Sequence, residues 1–108
     1  MIVSTAYTAL ALPLRRDLLD ALRAGRSTVG ALAERLDVPQ AIVSKQLRVL
    51  REAGFVRVEA EAQRRWYTLR PEAFAEVADW LEPYRWLWED RLDRLGERLD
   101  QMQDEERT

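Results

Sequence analysis

Gln40, Ser44, Lys45, Arg48 and Arg51 recur mostly at steps of three and four along one stretch of the chain. On a helix such steps gather side chains onto one face. The residue types are those that reach base edges and phosphates in a DNA major groove: Arg and Lys for guanine and phosphate, Gln for adenine, Ser for either. A second basic pair, Arg64 and Arg65, lies downstream, where it could grip backbone phosphate or an adjacent minor groove. Each feature has a plainer reading. The stripe could be the solvated face of an amphipathic helix. The pair could bond Glu59 and Glu61 across a hairpin, a weak surface interaction.

Other chemistries are short of residues. The chain has no cysteine and no histidine. Disulfides, thiolate or imidazole metal sites and the usual general base are therefore excluded. No Gly-rich phosphate loop is present either, so an enzyme is not expected. Oxygen ligands remain. Glu89, Asp93 and Glu97 lie four apart, and Asp100 and Asp104 continue the acidic stripe. Three carboxylates on one face could hold a hard or borderline divalent ion weakly. Against this, Arg85 precedes Glu89 by four and Asp90 precedes Arg94 by four, the spacing of routine surface pairs. The expectation is no dedicated metal and no cofactor.

The net charge of −2 hides an asymmetry. Residues 1–70 carry twelve basic against seven acidic side chains, a net of +5, and residues 71–108 carry five against twelve, a net of −7. A basic front and an acidic tail suit two surfaces with different tasks, and DNA affinity follows the local patch rather than the total. Residues 2–14 are mostly apolar but too short to span a bilayer, and Arg15 and Arg16 follow them, the wrong order for a signal peptide. A cytoplasmic protein with no membrane partner is expected.

The elements that must hold these residues read as follows. Ile2, Val3, Ala6 and Leu10 mark a first short helix, too apolar to be left bare, so part of it should meet a partner, with ordinary core the plainer reading for half of its face. Leu14, Leu18, Leu19 and Leu22 mark a second, opened by Pro13 and stopped by Gly25. Ser27 or Thr28 can cap a third, whose inner face is Val29, Leu32, Ala33 and Leu36. After Asp37-Val38-Pro39 a fourth runs to Gly54 with Val43, Leu47 and Leu50 inward. The last two form a helix-turn-helix over residues 27–54. Residues 55–60 and 64–69 then switch to period two around Glu61-Ala62-Gln63, a β-hairpin wing over 55–70.

From Pro71, the positions Val77, Leu81, Tyr84, Trp88, Leu92, Leu95, Leu99 and Met102 recur at steps of three and four, like a coiled-coil seam that Pro83 kinks or restarts. Trp80, Trp86 and Trp88 are crowded into nine positions, more aromatic surface than a small monomer hides, and the aromatic stripe reads as a dimer interface. The fold class expected is mainly α with a small β-hairpin. It is a single winged-helix domain over 1–108 whose first and last helices, 1–12 and 71–103, dimerise.

Several stretches resemble the ArsR (ArsR/SmtB) family of bacterial winged-helix regulators over nearly the whole chain. They are Leu14 to Leu19 with Leu22, Thr28 to Ala33, the specific block Val43 to Gly54, and Arg65 to Leu69. The resemblance implies a homodimer built from the first and last helices and operator binding by the fourth helix with wing support. It also implies response to an effector, often a metal ion, and Ser44, Lys45 and Arg48 carry over as DNA-contacting positions. The chain departs from the family at Gln46, where His is common, at Pro39, and at the wing turn, where Gly is common. The family's Cys and His metal sites cannot exist here. The chain is most similar to the branch without them, through Trp80 to Tyr84 and Trp88-Glu89.

The function expected is a homodimeric repressor that binds a palindromic operator through residues 39–53 and the wing. Its effector would be a small apolar ligand at the Trp-rich interface or a partner protein, or control would rest on abundance alone. The alternatives are a protein-interaction module that uses the acidic last helix, and a regulator with a weak oxygen-only metal site.

Overall fold

The computed structural model describes residues 5–107, the side chains of Leu92 and Arg107 excepted. Helices α1 (Thr5–Leu10), α2 (Pro13–Leu22), α3 (Val29–Leu36) and α4 (Gln40–Glu52) come first. Strands β1 (Val56–Glu61) and β2 (Arg64–Leu69) follow as an antiparallel pair. Then come α5 (Pro71–Leu81), a 3-10 turn (Glu82–Tyr84) and α6 (Arg85–Arg107). The expected helices, turn and wing are all present. Contacts divide the chain into one compact unit up to Val77 and a second from Ala78.

The helix boundaries have local causes. Pro13 sits in the first turn of α2, where its missing N–H costs nothing. Of the two candidate caps for α3, Thr28 is used: its Oγ1 accepts from the Ala31 N–H at 3.2 Å. Asp37 ends α3 in the left-handed region at φ 54°. Pro39 offers α4 no side-chain cap, but its carbonyl accepts from the N–H groups of Ile42 and Val43 at 3.0 and 3.1 Å. Gly54 stops α4 at φ 89°, where any L side chain is strained, and a Cβ there would already touch Ala73 at 3.6 Å.

Leu18, Leu32, Val43, Leu47, Leu50, Phe55 and Val56 are buried in one core under the helix-turn-helix. Phe74 of α5 meets Phe55 edge-on at 4.9 Å. Ala6 is fully buried in this core as well. It was expected at the dimer interface, but a small side chain packed inside its own protomer has nothing left to offer a partner. Ile2 and Val3, also expected there, lie outside the described residues. Leu10 is half-buried against the core.

The hairpin pairs Val56 with Leu69 through Glu61 with Arg64. Its connection is therefore the two residues Ala62 and Gln63, with Glu61 inside the strand rather than in the turn. Ala62 adopts φ 57°, a region that favours glycine. An L residue there costs about 1–2 kcal/mol, and glycine's extra chain entropy returns about 0.5–1 kcal/mol of that. Ala62→Gly should therefore raise unfolding stability by about 0.5–1 kcal/mol, read as a higher urea midpoint. An unchanged or lower midpoint would show that the turn is not strained.

In the second unit, Pro83 lies inside the 3-10 turn, so the helical stripe restarts there rather than running through. The Trp80 and Tyr84 rings are 5.7 Å apart and tilted. No helix among the described residues is long and apolar enough to cross a membrane.

Candidate nucleic-acid interface

The outward face of α4 is set by the three positions that point inward, Val43, Leu47 and Leu50, all fully buried. With that face fixed, Gln40, Ser44, Lys45, Arg48 and Arg51 are exposed, as their spacing requires. The wing is held against the helix-turn-helix by a second device. Ser27, just before α3, pairs with Tyr67 of β2 through backbone bonds of 2.8 and 3.1 Å. Arg26 reinforces the junction: its Nη1 donates to Glu61 Oε2 at 2.6 Å, and its guanidinium lies 4.2 Å from the Trp66 ring centroid.

Strand alternation then sorts the wing's side chains. Arg57, Glu59, Glu61, Arg64, Trp66 and Thr68 share one face, and Val56, Val58, Arg65, Tyr67 and Leu69 share the other. The second face carries the buried Val56 and Tyr67, so Arg65 projects beside α4. Ser44, Lys45, Arg48, Arg51, Arg65 and Tyr67, with Ala41, line one notch of about 360 Å3 between α4 and β2. Arg64 does not reach it. Arg64 and Arg65 instead flank a second hollow of about 470 Å3 against Thr28, Val29 and Gly30 at the start of α3. Gln40 lies outside the notch, with its amide over Gly30.

The plainer reading of the wing arginines is not the one the fold adopts. Glu61 is taken by Arg26 and Glu59 lies near Arg57, leaving Arg64 and Arg65 without ion pairs among the described residues. On α4, Arg48 bonds Glu52 at 3.2 Å, with both side chains largely exposed, a contact that yields easily to a phosphate or a base.

Three contributors were not visible as site residues in the sequence. Tyr67 lines the notch, and Arg26 ties the wing down. Arg15 of α2 donates from Nε to Gln46 Oε1 of α4 at 2.8 Å, while its Nη1 reaches the carbonyls of Thr8 and Ala9. Gln46 thus ties α4 to α2 from behind. The alternation of β2 was the available signal for Tyr67, because it puts Tyr67 on the same side as Arg65.

Of the carboxylate stripe on α6, Glu89 is held in an ion pair, as is its neighbour Asp90. Glu89 bonds Arg85 at 3.3 Å and Asp90 bonds Arg94 at 3.2 Å. Glu89, Asp93 and Glu97 do not form a metal-holding group among the described residues.

A family model described as a helix-turn-helix domain matches residues 10–59. The biofilm growth-associated repressor of Agrobacterium fabrum is 38% identical over 77 residues, 71% of this chain and 66% of that protein. The chain thus spans about two thirds of that relative's length, 66%. The transcriptional repressor SdpR of Bacillus subtilis is 25% identical over 79 residues, 73% of this chain and 88% of SdpR. Among solved structures, an ArsR family transcriptional regulator matches with a TM-score of 0.67 and 32% identity, covering 79% of this chain and 88% of that one. A homodimeric winged helix-turn-helix DNA-binding domain from Mycobacterium bovis matches with a TM-score of 0.61 and 26% identity, covering 83% of this chain and 81% of that one.

Proposed function

This chain belongs to the ArsR family of winged helix-turn-helix transcriptional regulators, and we propose that it acts as a homodimeric repressor whose two α4 helices read a palindromic operator. The observation that carries this is the convergence of Lys45, Arg48 and Arg51 from α4 with Arg65 from the wing on one open notch. A helix and a wing that present cations side by side match a groove edged by phosphate. The N-terminal half of α4, with Gln40, Ser44 and Lys45, enters the major groove, because base contacts come from the start of a recognition helix. Arg48 and Arg51 stand further back, and Arg64 and Arg65 hold the flank.

The dimer is supported by the apolar row of the second unit, where Trp80, Tyr84, Trp88, Leu95 and Leu99 are all substantially exposed. A two-fold pair of reading helices calls for half-sites about 34 Å apart, one turn of DNA. Repression is supported by the two curated repressors that the chain resembles.

A duplex selected from a random pool by the protein itself provides the test. Its affinity should fall about a thousandfold between roughly 50 and 200 mM salt if the dimer neutralises at least about six phosphates. A flat salt dependence, or no enriched palindrome, would refute the reading and favour a protein-interaction role for the acidic last helix.

A further inference from the structure

We propose that the notch between α4 and β2 is the seat of a single phosphate group, that its occupant is a backbone phosphate of bound DNA, and that the Tyr67 hydroxyl donates a hydrogen bond to it.

The proposal rests on the DNA-binding reading and deepens it. Tyr67 is 7% exposed, and its ring is fixed on the inner face of β2. Its backbone N–H and carbonyl are both spent on Ser27. Its hydroxyl has no hydrogen-bond partner among the described residues. Yet no described side-chain oxygen or nitrogen is both sealed from solvent and unpartnered. The hydroxyl must therefore reach the surface, and the opening that Tyr67 lines is the notch. A buried aromatic ring that brings a lone donor to a surface opening is a fixed donor, with little side-chain entropy left to lose on binding.

The rest of the lining defines the ligand's chemistry. Arg48, Arg51 and Arg65 supply cations at the end of the notch nearest the last turn of α4, Ser44 and Lys45 line the end nearest its start, and no carboxylate lines the opening. A group with several acceptor oxygens and negative charge suits that set. Its place in the fold selects the source. Arg51 lies seven residues after Ser44, about 10 Å along the helix axis at 1.5 Å per residue. A major groove is about 12 Å wide. When the start of α4 is among the bases, its last turn stands over the groove wall, where the sugar-phosphate chain runs. The notch then acts as a stop that fixes how far α4 slides along the groove, and Tyr67 is a positioning residue.

The experiment pairs the full-length protein, wild type and Tyr67→Phe, with the selected duplex carrying one methylphosphonate at each backbone position in turn. Tyr67→Phe removes only the hydroxyl and should melt within about 1 °C of the wild type, since its loss breaks no internal bond. It should weaken binding to the unmodified duplex by about a hundredfold or more, since a hydrogen bond to a charged group is lost in each of the two half-sites. One methylphosphonate position per half-site should weaken the wild type more than the variant, because the hydrogen bond from Tyr67 is the part of that contact the variant has already lost.

If every position affects both proteins equally, the proposal is overturned while DNA binding stands. A wild type that binds no duplex overturns both. A parallel titration with inorganic phosphate separates the two sources. If inorganic phosphate shifts the Tyr67 resonances and the methylphosphonate scan shows no coupling, the notch serves free phosphate and the DNA assignment fails.

Discussion

Protein carrying Lys45→Ala and Arg48→Ala together should lose about a thousandfold in operator affinity while keeping its fold. Both side chains are exposed on the outer face of α4, and neither belongs to the core. Arg48's one ion pair, to Glu52, is an exposed i,i+4 contact and contributes about 0.3–0.5 kcal/mol at most. Alanine, the best helix former, offsets part of that. The loss on DNA is of another size. A base or phosphate contact of this kind is worth about 1–3 kcal/mol, and a symmetric dimer loses each contact twice. Two residues in two copies at the lower figure give about 4 kcal/mol, roughly three decades. Fluorescence anisotropy on the selected duplex reads the affinity, and a thermal melt confirms the fold. Affinity within about tenfold of wild type would eliminate α4 as the reading helix, whatever the wing does.

What could be read from the sequence divides by range. The α4 face was legible because Val43, Leu47 and Leu50 mark the inner side within thirteen residues, and everything between them is then assigned outward. The wing was legible from its switch to period two. Which of its faces turns toward α4 was not, because that choice is made by the Ser27–Tyr67 pairing and by Val56 entering the core. Neither contact leaves a local pattern. Arg15 and Gln46 are 31 residues apart, and Arg26 and Glu61 are 35 apart. Each of these residues alone reads as ordinary surface. Ala6 shows a different limit. Its helix reads as too apolar to stand bare, but periodicity cannot tell a face covered by the protomer from one covered by a partner, and Ala6 is covered by the protomer.

That same ambiguity makes α6 the sharper test, since every described side chain on it is exposed. Eight of the twelve exposed large hydrophobics among the described residues lie from Trp80 onward. Helical spacing sorts them. Tyr84, Trp88, Leu95, Leu99 and Met102 form one row, while Trp86 points to the opposite side among Asp90, Asp93 and Glu97. A row of this length on a helix otherwise rich in charge is what a partner helix covers. Leu95 and Leu99 are 54% and 51% exposed, so replacing both by Asp breaks no packing within the protomer. In a dimer the replacement removes four buried leucines. At about 1.5–3 kcal/mol each, the loss is about 6–12 kcal/mol, against about 8 kcal/mol for a dimer of micromolar affinity. Leu95→Asp with Leu99→Asp should therefore run as a monomer in sedimentation or light scattering at micromolar concentration, and its operator binding should collapse because one α4 no longer brings the second. Trp86→Asp alters the other side of the same helix and should leave the dimer intact. A monomeric wild type would remove the dimer altogether, and a variant that dissociates only with Trp86→Asp would place the interface on the acidic face instead.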